Sequence, residues 1–244
     1  MRNLEVCLSP ESIKLYGTEN KIVVVVDILR ATSCMVTALA HGVKSIVPVS
    51  SLEECEQYRA KGYIAAAERD GKIAKGFDIG NSPFSYMDKN LKGKTVALTT
   101  TNGTLAIQRA SAADEVIIGS FLNRSVIVNY LINHTSDVLI LCAGWKGRMN
   151  LEDTIFAGAL VEDLKNHFYF ENDSAFAAQT LYSCSKNDLF GFITGNSSHY
   201  KRLKSLNLDK DIRFCLQSDL YSIIPMMKDG ALVKMKSESV KIIE

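Results

Sequence analysis

The sequence predicts an α/β fold. It reads as a three-layer α/β/α sandwich with a mostly parallel sheet over residues 1–170, carrying a C-terminal α+β extension over residues 171–244 that packs on this core. Three observations lead there. Short apolar runs of strand length alternate with helical stretches through the first two-thirds of the chain, the pattern of βαβ units. The run Ile22-Val-Val-Val-Val26 is continuously β-branched, as suits a strand covered on both faces. After residue 170 the alternation stops, with no obvious linker at the change.

Each element has a local reason. The helix after the strand at 22–26 starts near Thr32 or Ser33, either of which can cap it, and closes at Gly42. Residues 43–49 read as the next strand. Ser51-Leu-Glu-Glu54 is a capping-box pattern opening a helix that ends at Gly62. Residues 63–67 form a short third strand leading to Glu68. Residues 68–81 hold three glycines and read as an irregular loop; one this long inside a compact domain is expected to be functional. Ser82-Pro83 supplies an N-cap and a proline at the first helical position. Strands at 95–99, 116–119 and 138–143 follow, with helices from Gly103, over 124–133 behind an Asn123 cap, and over 151–164 after a glycine-rich loop. In the extension, 173–184 and 197–206 look helical, and Asp229-Gly230 turns a hairpin into 231–235.

Composition narrows the function. The chain has 244 residues, 47% hydrophobic and 23% charged, with 28 basic residues against 27 acidic ones. A domain of this size needs neither disulfide nor metal merely to fold. The near-zero net charge argues against nucleic acid or an anionic membrane as main partner, since both demand a basic excess. No apolar run approaches the roughly 20 residues that span a bilayer, and Met1-Arg-Asn-Leu-Glu-Val6 lacks the core of a signal peptide. A cytoplasmic protein is expected. Six cysteines scattered without a C-x-x-C pair fit reduced, mostly buried thiols, and four dispersed histidines support no zinc site.

In open parallel sheets, ligands bind outside the carboxyl ends of the strands. Those ends collect Asp27 with Arg30, Thr32 and Ser33; Glu68 with Arg69; Thr100-Thr-Asn-Gly103; and Gly144-Trp-Lys-Gly-Arg148 running into Glu152-Asp153. Each has a plain reading: a loop acid, a helix start, a turn, and acids favourable to a helix N-terminus. Each also has a chemical one. A carboxylate at the tip of a rigid strand is placed to hold Mg²⁺, which takes few protein ligands. Amides, hydroxyls and a forked guanidinium at Arg30-Ala-Thr-Ser33 make a phosphate or carboxylate seat. Gly103 permits close backbone approach in a second anion cradle. Cys142, five residues, then Arg148 is the layout of the cysteine-phosphatase loop, although Leu141 and Met149 stand where that loop has a histidine and a hydroxyl. A buried strand-end thiol is the alternative. Walker, dinucleotide and esterase signatures are absent.

Taken together, Val26-Asp-Ile-Leu-Arg-Ala-Thr-Ser33, Glu68-Arg-Asp-Gly71, Gly80-Asn-Ser-Pro83, Thr99-Thr-Thr-Asn-Gly-Thr104, Cys142-Ala-Gly144, Leu151-Glu-Asp153, Ala157-Gly158 and the stretch from Asp211-Ile212 to Pro225 resemble the 2-phosphosulfolactate phosphatase family. The resemblance runs in order along nearly the whole chain. It implies a Mg²⁺-dependent hydrolase of the phosphate ester of 3-sulfolactate, a step toward coenzyme M, on an α/β/α fold. The family's Cys-Ala-Gly does not require an arginine at position 148. On the shared rim and this resemblance, Asp27 and Glu68, with Asp153, are expected to hold Mg²⁺. Arg30 and the Thr32 and Ser33 amides would bind phosphoryl oxygens, and Thr101, Asn102 and Gly103 the carboxylate or sulfonate. Glu152 or Asp153 would orient the attacking water. The expected partner is a small anionic phosphoester, with neither nucleic acid nor membrane; a homo-oligomer is compatible with the chain. The rival readings are a phosphatase for another small phosphorylated hydroxy acid, a Cys142/Arg148 phosphocysteine route, and a non-catalytic phosphocarboxylate-binding module.

Overall fold

The computed structural model describes residues 2–170 and 172–235. Its first half runs β1 (Arg2–Cys7), β2 (Lys21–Val26), α1 (Ala31–Ala40), β3 (Ser45–Pro48), α2 (Leu52–Ala60), β4 (Ile64–Arg69), β5 (Lys72–Ile73), β6 (Thr95–Thr99) and α3 (Gly103–Arg109). Then come β7 (Glu115–Gly119), α4 (Arg124–Ile132), β8 (Asp137–Cys142), α5 (Leu151–Leu164) and β9 (Phe168–Tyr169). The last part holds α6 (Asp173–Ser185), α7 (Leu189–Asn196), α8 (Ser198–Lys204), α9 (Asp209–Cys215), β10 (Pro225–Lys228) and β11 (Ala231–Lys234). The eleven strands of the described residues form one sheet, ordered β5-β4-β6-β3-β11-β10-β7-β2-β8-β1-β9. The α/β class and the mostly parallel sheet read from the sequence both hold.

Strand β2 is the axis. It pairs in parallel with β7 and β8, with Val24 opposite both Ile117 and Ile140. Because side chains alternate along a strand, its run of valines serves two cores at once. Ile22, Val24 and Val26 pack with Phe121, Phe156 and Leu160 on one face. Val23 and Val25 pack with Met35, Val36 and Leu39 of α1 on the other. Residues Ala31 to Leu39 of α1 are buried throughout. The core around α1 also draws on Ile46 of β3, Val96 and Leu98 of β6 and Ala66 of β4. In a flat sheet β2 and β6, five places apart, would lie about 24 Å from each other at ~4.8 Å per strand. Gly103, four residues past β6, instead abuts Asp27, one residue past β2. The sheet therefore curls around α1 and α3, and the carboxyl ends of β2, β4 and β6 converge.

Several elements differ from their sequence reading. Residues 2–7 form a strand, inserted between β8 and β9, whose signal is the alternation that buries Leu4 and Val6. The stretch 68–81 is not wholly irregular: β4 and β5 form a hairpin pairing Arg69 with Lys72. Asp70 and Gly71 both take positive φ, 53° and 83°, as a two-residue turn of this hand requires. Ser82-Pro83 opens a 3₁₀ turn, Pro83–Met87, and not an α-helix. The segment after residue 172 is not confined to a layer of its own. Its β10–β11 hairpin, turned at Asp229-Gly230, enters the sheet antiparallel between β3 and β7.

Asn123 caps no α-helix with its side chain. Its Oδ1 accepts from Ser120 N at 3.0 Å and Ser120 Oγ at 3.1 Å, while its Nδ2 donates to the carbonyls of Ile118 at 3.2 Å and Ile223 at 3.0 Å. The residue is fully buried, so every partner lost is a group stripped of water. This amide joins β7 to the segment that leads into β10. Asn123→Asp keeps the shape but turns an acceptor toward two carbonyls. Urea unfolding is expected to show a loss of about 3 kcal/mol for it, and no less than for Asn123→Leu.

Candidate active site

Asp27 follows β2 directly and Glu68 is the fifth residue of β4, so the curl of the sheet sets both carboxylates on one narrow cavity. Arg30, Gly71, Asn81, Thr101, Asn102, Trp145, His199 and Arg202 complete most of its wall. Asp27 and Glu68 are each 7% exposed. Asp27 Oδ1 accepts from Ala31 N at 3.3 Å, and its Oδ2 faces the backbone of Gly103 without a hydrogen bond from the described residues. A Cβ at position 103 would stand 2.5 Å from Ala31 Cβ and 3.0 Å from that Oδ2, so only glycine lets α3 begin so close. Glu68 Oε1 accepts from Gly71 N, closing the hairpin turn, and its Oε2 accepts from Thr101 N and Oγ1 at 3.3 Å each. Asn81 Oδ1 lies buried on the same cavity with no hydrogen-bond partner among the described residues.

Arg30 is 4% exposed and works in two directions. Its Nη1 pairs with Asp211 of α9 at 2.5 Å, and its Nη2 donates to the Gly71 carbonyl at 2.9 Å. The Leu29–Arg30 peptide bond is cis. Thr32 and Ser33, by contrast, are fully buried and do not line the cavity. The Thr32 hydroxyl donates to Asp27 O at 2.9 Å and accepts from Asp27 N at 3.1 Å, while Thr32 N donates to Asp27 O at 3.0 Å. The Ser33 hydroxyl donates to Ile28 O at 3.0 Å. Both residues shape the turn that carries Asp27. Neither caps α1, whose N-cap position is Arg30, with no capping hydrogen bond from its side chain.

Asp153 sits behind this wall. Its Oδ1 accepts from Ile28 N at 2.8 Å, and its Oδ2 from Gly144 N at 3.1 Å and Asn150 Nδ2 at 2.8 Å. Both oxygens are thus engaged, and the carboxylate ties the loop after β2 to the loop after β8. Burial, followed by the neighbouring carboxylates of Asp27 and Glu152, pushes its pKa well up, against these N–H donors. Glu152, also fully buried, meets His199 Nδ1 through Oε1 and accepts from Ser197 Oγ through Oε2 at 3.2 Å. It is separated from the cavity by that histidine.

Cys142 is completely buried at the end of β8 and stays off the cavity. Burial first, then Asp153 and Cys7, pushes its thiol well above the ordinary value, which disfavours the thiolate a nucleophile needs. Arg148 is exposed, in a turn where Trp145 N donates to its carbonyl at 2.7 Å. Among the described residues, no three His, Cys, Asp or Glu side chains cluster as a metal centre. The oxygen donors on the cavity are the buried carboxylates of Asp27 and Glu68, the exposed one of Asp70, and the Asn81 amide oxygen, which has no partner among the described residues. That hard, oxygen-only set, short of a full protein shell, fits Mg²⁺, which keeps several of its waters.

Three residues of the cavity gave no sequence signal as chemistry: His199 and Arg202 on α8, and Asn81. Arg202 lies over the Trp145 ring at 5.0 Å, with a buried Nε that has no partner among the described residues. The pairing of Asp211 with Arg30, 181 residues away, is likewise invisible locally. Asp70-Gly71 could have been read as a hairpin turn, because two positive-φ residues between short strands favour that pair.

Two outcomes follow from this geometry. Asp211→Asn strands the buried Arg30 guanidinium and is expected to cost about 3–5 kcal/mol in chemical unfolding. Burial, the largest influence, pushes the Asp27 carboxyl up to about 6, against the Ala31 amide and with Glu68 and Glu152 adding to the rise. A raised folded-state pKa means that the folded protein holds the proton more tightly. Asp27 therefore supports stability below about pH 4, its unfolded value, and loses that support as pH rises through about 6. In EDTA, melting temperatures of Asp27→Asn and wild type should lie close at pH 4, with the variant gaining on the wild type toward pH 7.

The 2-phosphosulpholactate phosphatase family model matches residues 7–230. A protein of Thermotoga petrophila named probable 2-phosphosulfolactate phosphatase is 42% identical over 215 residues, covering 88% of this chain and 92% of its own. One of the same name from Caldanaerobacter subterraneus subsp. tengcongensis is 40% identical over 217 residues, 87% of this chain and 90% of its own. A third, from Clostridium tetani, is 35% identical over 234 residues, 94% of this chain and 99% of its own. A match over this span, laid on a strand-end cavity of carboxylates and cations, is decisive: the chain belongs to the 2-phosphosulpholactate phosphatase family.

Proposed function

We propose that the chain is a Mg²⁺-dependent phosphatase that hydrolyses 2-phospho-3-sulfolactate to 3-sulfolactate and phosphate, a cytoplasmic step toward coenzyme M. The charge inventory of the cavity carries this reading. Asp27, Glu68 and Asp70 face it together with Arg30, Arg202 and His199. The substrate adds a phosphate, a carboxylate and a sulfonate, while Arg30 is already shared with Asp211. A polyanion and three carboxylates on one small cavity call for a further cation between them.

Asp27 and Glu68, with the Asn81 amide oxygen, would hold Mg²⁺. When bound, the metal offsets negative charge on the phosphoryl oxygens as a Lewis acid. Arg30 commits one N–H of each terminal nitrogen to Asp211 and Gly71 and has others left for a phosphoryl oxygen. Arg202, which lines the cavity together with Thr101 and Asn102, suits the sulfonate or carboxylate end through its terminal nitrogens. Asp153 stays behind the site as the clamp between two loops.

Phosphate release from 2-phospho-3-sulfolactate and from 2-phospholactate, each with Mg²⁺ and with EDTA, tests the reading. Turnover that needs the metal and favours the sulfonated ester is expected, unchanged in Cys142→Ala. Turnover that survives EDTA, or binding of either ester without phosphate release, would overturn it.

A further inference from the structure

We infer that His199 is the proton donor to the leaving alcohol, positioned by Glu152 and Ser197. The inference rests on the phosphatase reading above. The leaving group there is a secondary alkoxide, which departs poorly unless it is protonated as the P–O bond breaks. Among the described residues of the cavity, one uncommitted proton-transfer group of suitable chemistry is His199.

Its placement is constrained from three sides. A carboxylate accepts and never donates, so the hydrogen shared between Glu152 Oε1 and His199 Nδ1 sits on Nδ1. Ser197, the N-cap of α8, donates its hydroxyl to the other oxygen of Glu152 and fixes that carboxylate in turn. The imidazole lies against the Trp145 indole, 6.4 Å between centroids and 11° from parallel. Nε2 is thereby turned away from Glu152. It has no hydrogen-bond partner among the described residues and is not one of the sealed, unpaired buried atoms. His199 is 6% exposed and shares its cavity with Asp27, Arg30 and Glu68. Charged groups facing it are Glu152 of α5, Asp27 after β2, Glu68 and Asp70 of the β4–β5 hairpin, Arg30, Arg148 of the β8–α5 loop and Arg202 of its own helix.

The step balances. A water oxygen forms a bond to phosphorus as the bond from phosphorus to the ester oxygen breaks. The Nε2 proton of the imidazolium passes to that ester oxygen, giving the free hydroxyl of 3-sulfolactate. The proton shed by the attacking water restores the imidazolium, and phosphate leaves. Glu152 touches neither substrate nor reacting atoms; it is a positioning residue acting through His199.

A buried His–Glu pair could equally serve only to pin α8 onto α5, and the test separates the two. For His199→Asn, kcat on 2-phospho-3-sulfolactate is expected to fall by about 10²–10⁴-fold, the usual worth of a proton donor. On 4-nitrophenyl phosphate, whose phenolate leaves without a proton, the loss should stay below about tenfold. Misfolding lowers both rates together, so equal losses on the two esters, or none on either, would overturn the role. Glu152→Gln supplies a second readout on the native ester alone. It should leave KM nearly unchanged and move the alkaline limb of kcat/KM to lower pH; an unmoved limb overturns the role independently. A wild-type enzyme that releases no phosphate from either ester, with Mg²⁺ present, refutes the phosphatase reading and this role with it.

Discussion

The buried pair between Arg30 and Asp211 holds the site together. Both partners are more than nine-tenths buried, and a buried guanidinium cannot stay without its counter-charge. The pair therefore ties α9, late in the chain, to the turn after β2 that carries Asp27. The second bond of Arg30, to the Gly71 carbonyl, extends the constraint to the β4–β5 hairpin, whose Gly71 amide closes on Glu68. Three segments far apart in sequence are thus locked at one point. The two carboxylates proposed to do the chemistry hang from two of those segments.

Four acids crowd this region, and their hydrogen bonds sort them. Asp153 has both oxygens filled by N–H donors and works as a clamp. Glu152 is filled by Ser197 and His199. Glu68 is held by the hairpin and Thr101, yet still lines the cavity. Asp27 alone of the four keeps an oxygen free of hydrogen bonds from the described residues, and burial has already loosened its hold on charge. Hydrogen bonding and access to the cavity together separate these acids: Glu68 accepts from three donors, as Asp153 does, but lines the cavity where Asp153 does not, and Asp27 both lines it and accepts from one.

What the sequence made legible was local. The valine run, the strand–helix alternation and the acids at the carboxyl ends of β2 and β4 are short-range signals, and they located the sheet and the strand ends that meet at the cavity. The Asp229-Gly230 turn was equally readable. Its destination in the middle of the sheet was not, because which strands a hairpin joins is decided by tertiary packing. His199 and Asp211 lie 47 and 181 residues from their partners Glu152 and Arg30, and nothing in their immediate neighbours points to those pairings. Thr32 and Ser33 show the opposite case. Hydroxyls at a helix start are ordinary phosphate seats, yet here they are absorbed into the backbone of the Asp27 turn.

The position of the β10–β11 hairpin bears on how the chain reaches this state. It stands between β3 and β7, so the two parallel portions of the sheet have no direct strand contact with each other. A nascent chain can form each portion as its residues leave the ribosome, but the seam between them stays open until residues 225–234 arrive. Pairings that late and that distant in sequence are entropically demanding and slow. Until the seam closes, the unpaired edges of β3 and β7 are exposed to strands of other chains. The segment that completes the sheet is therefore also its guard against aggregation during synthesis.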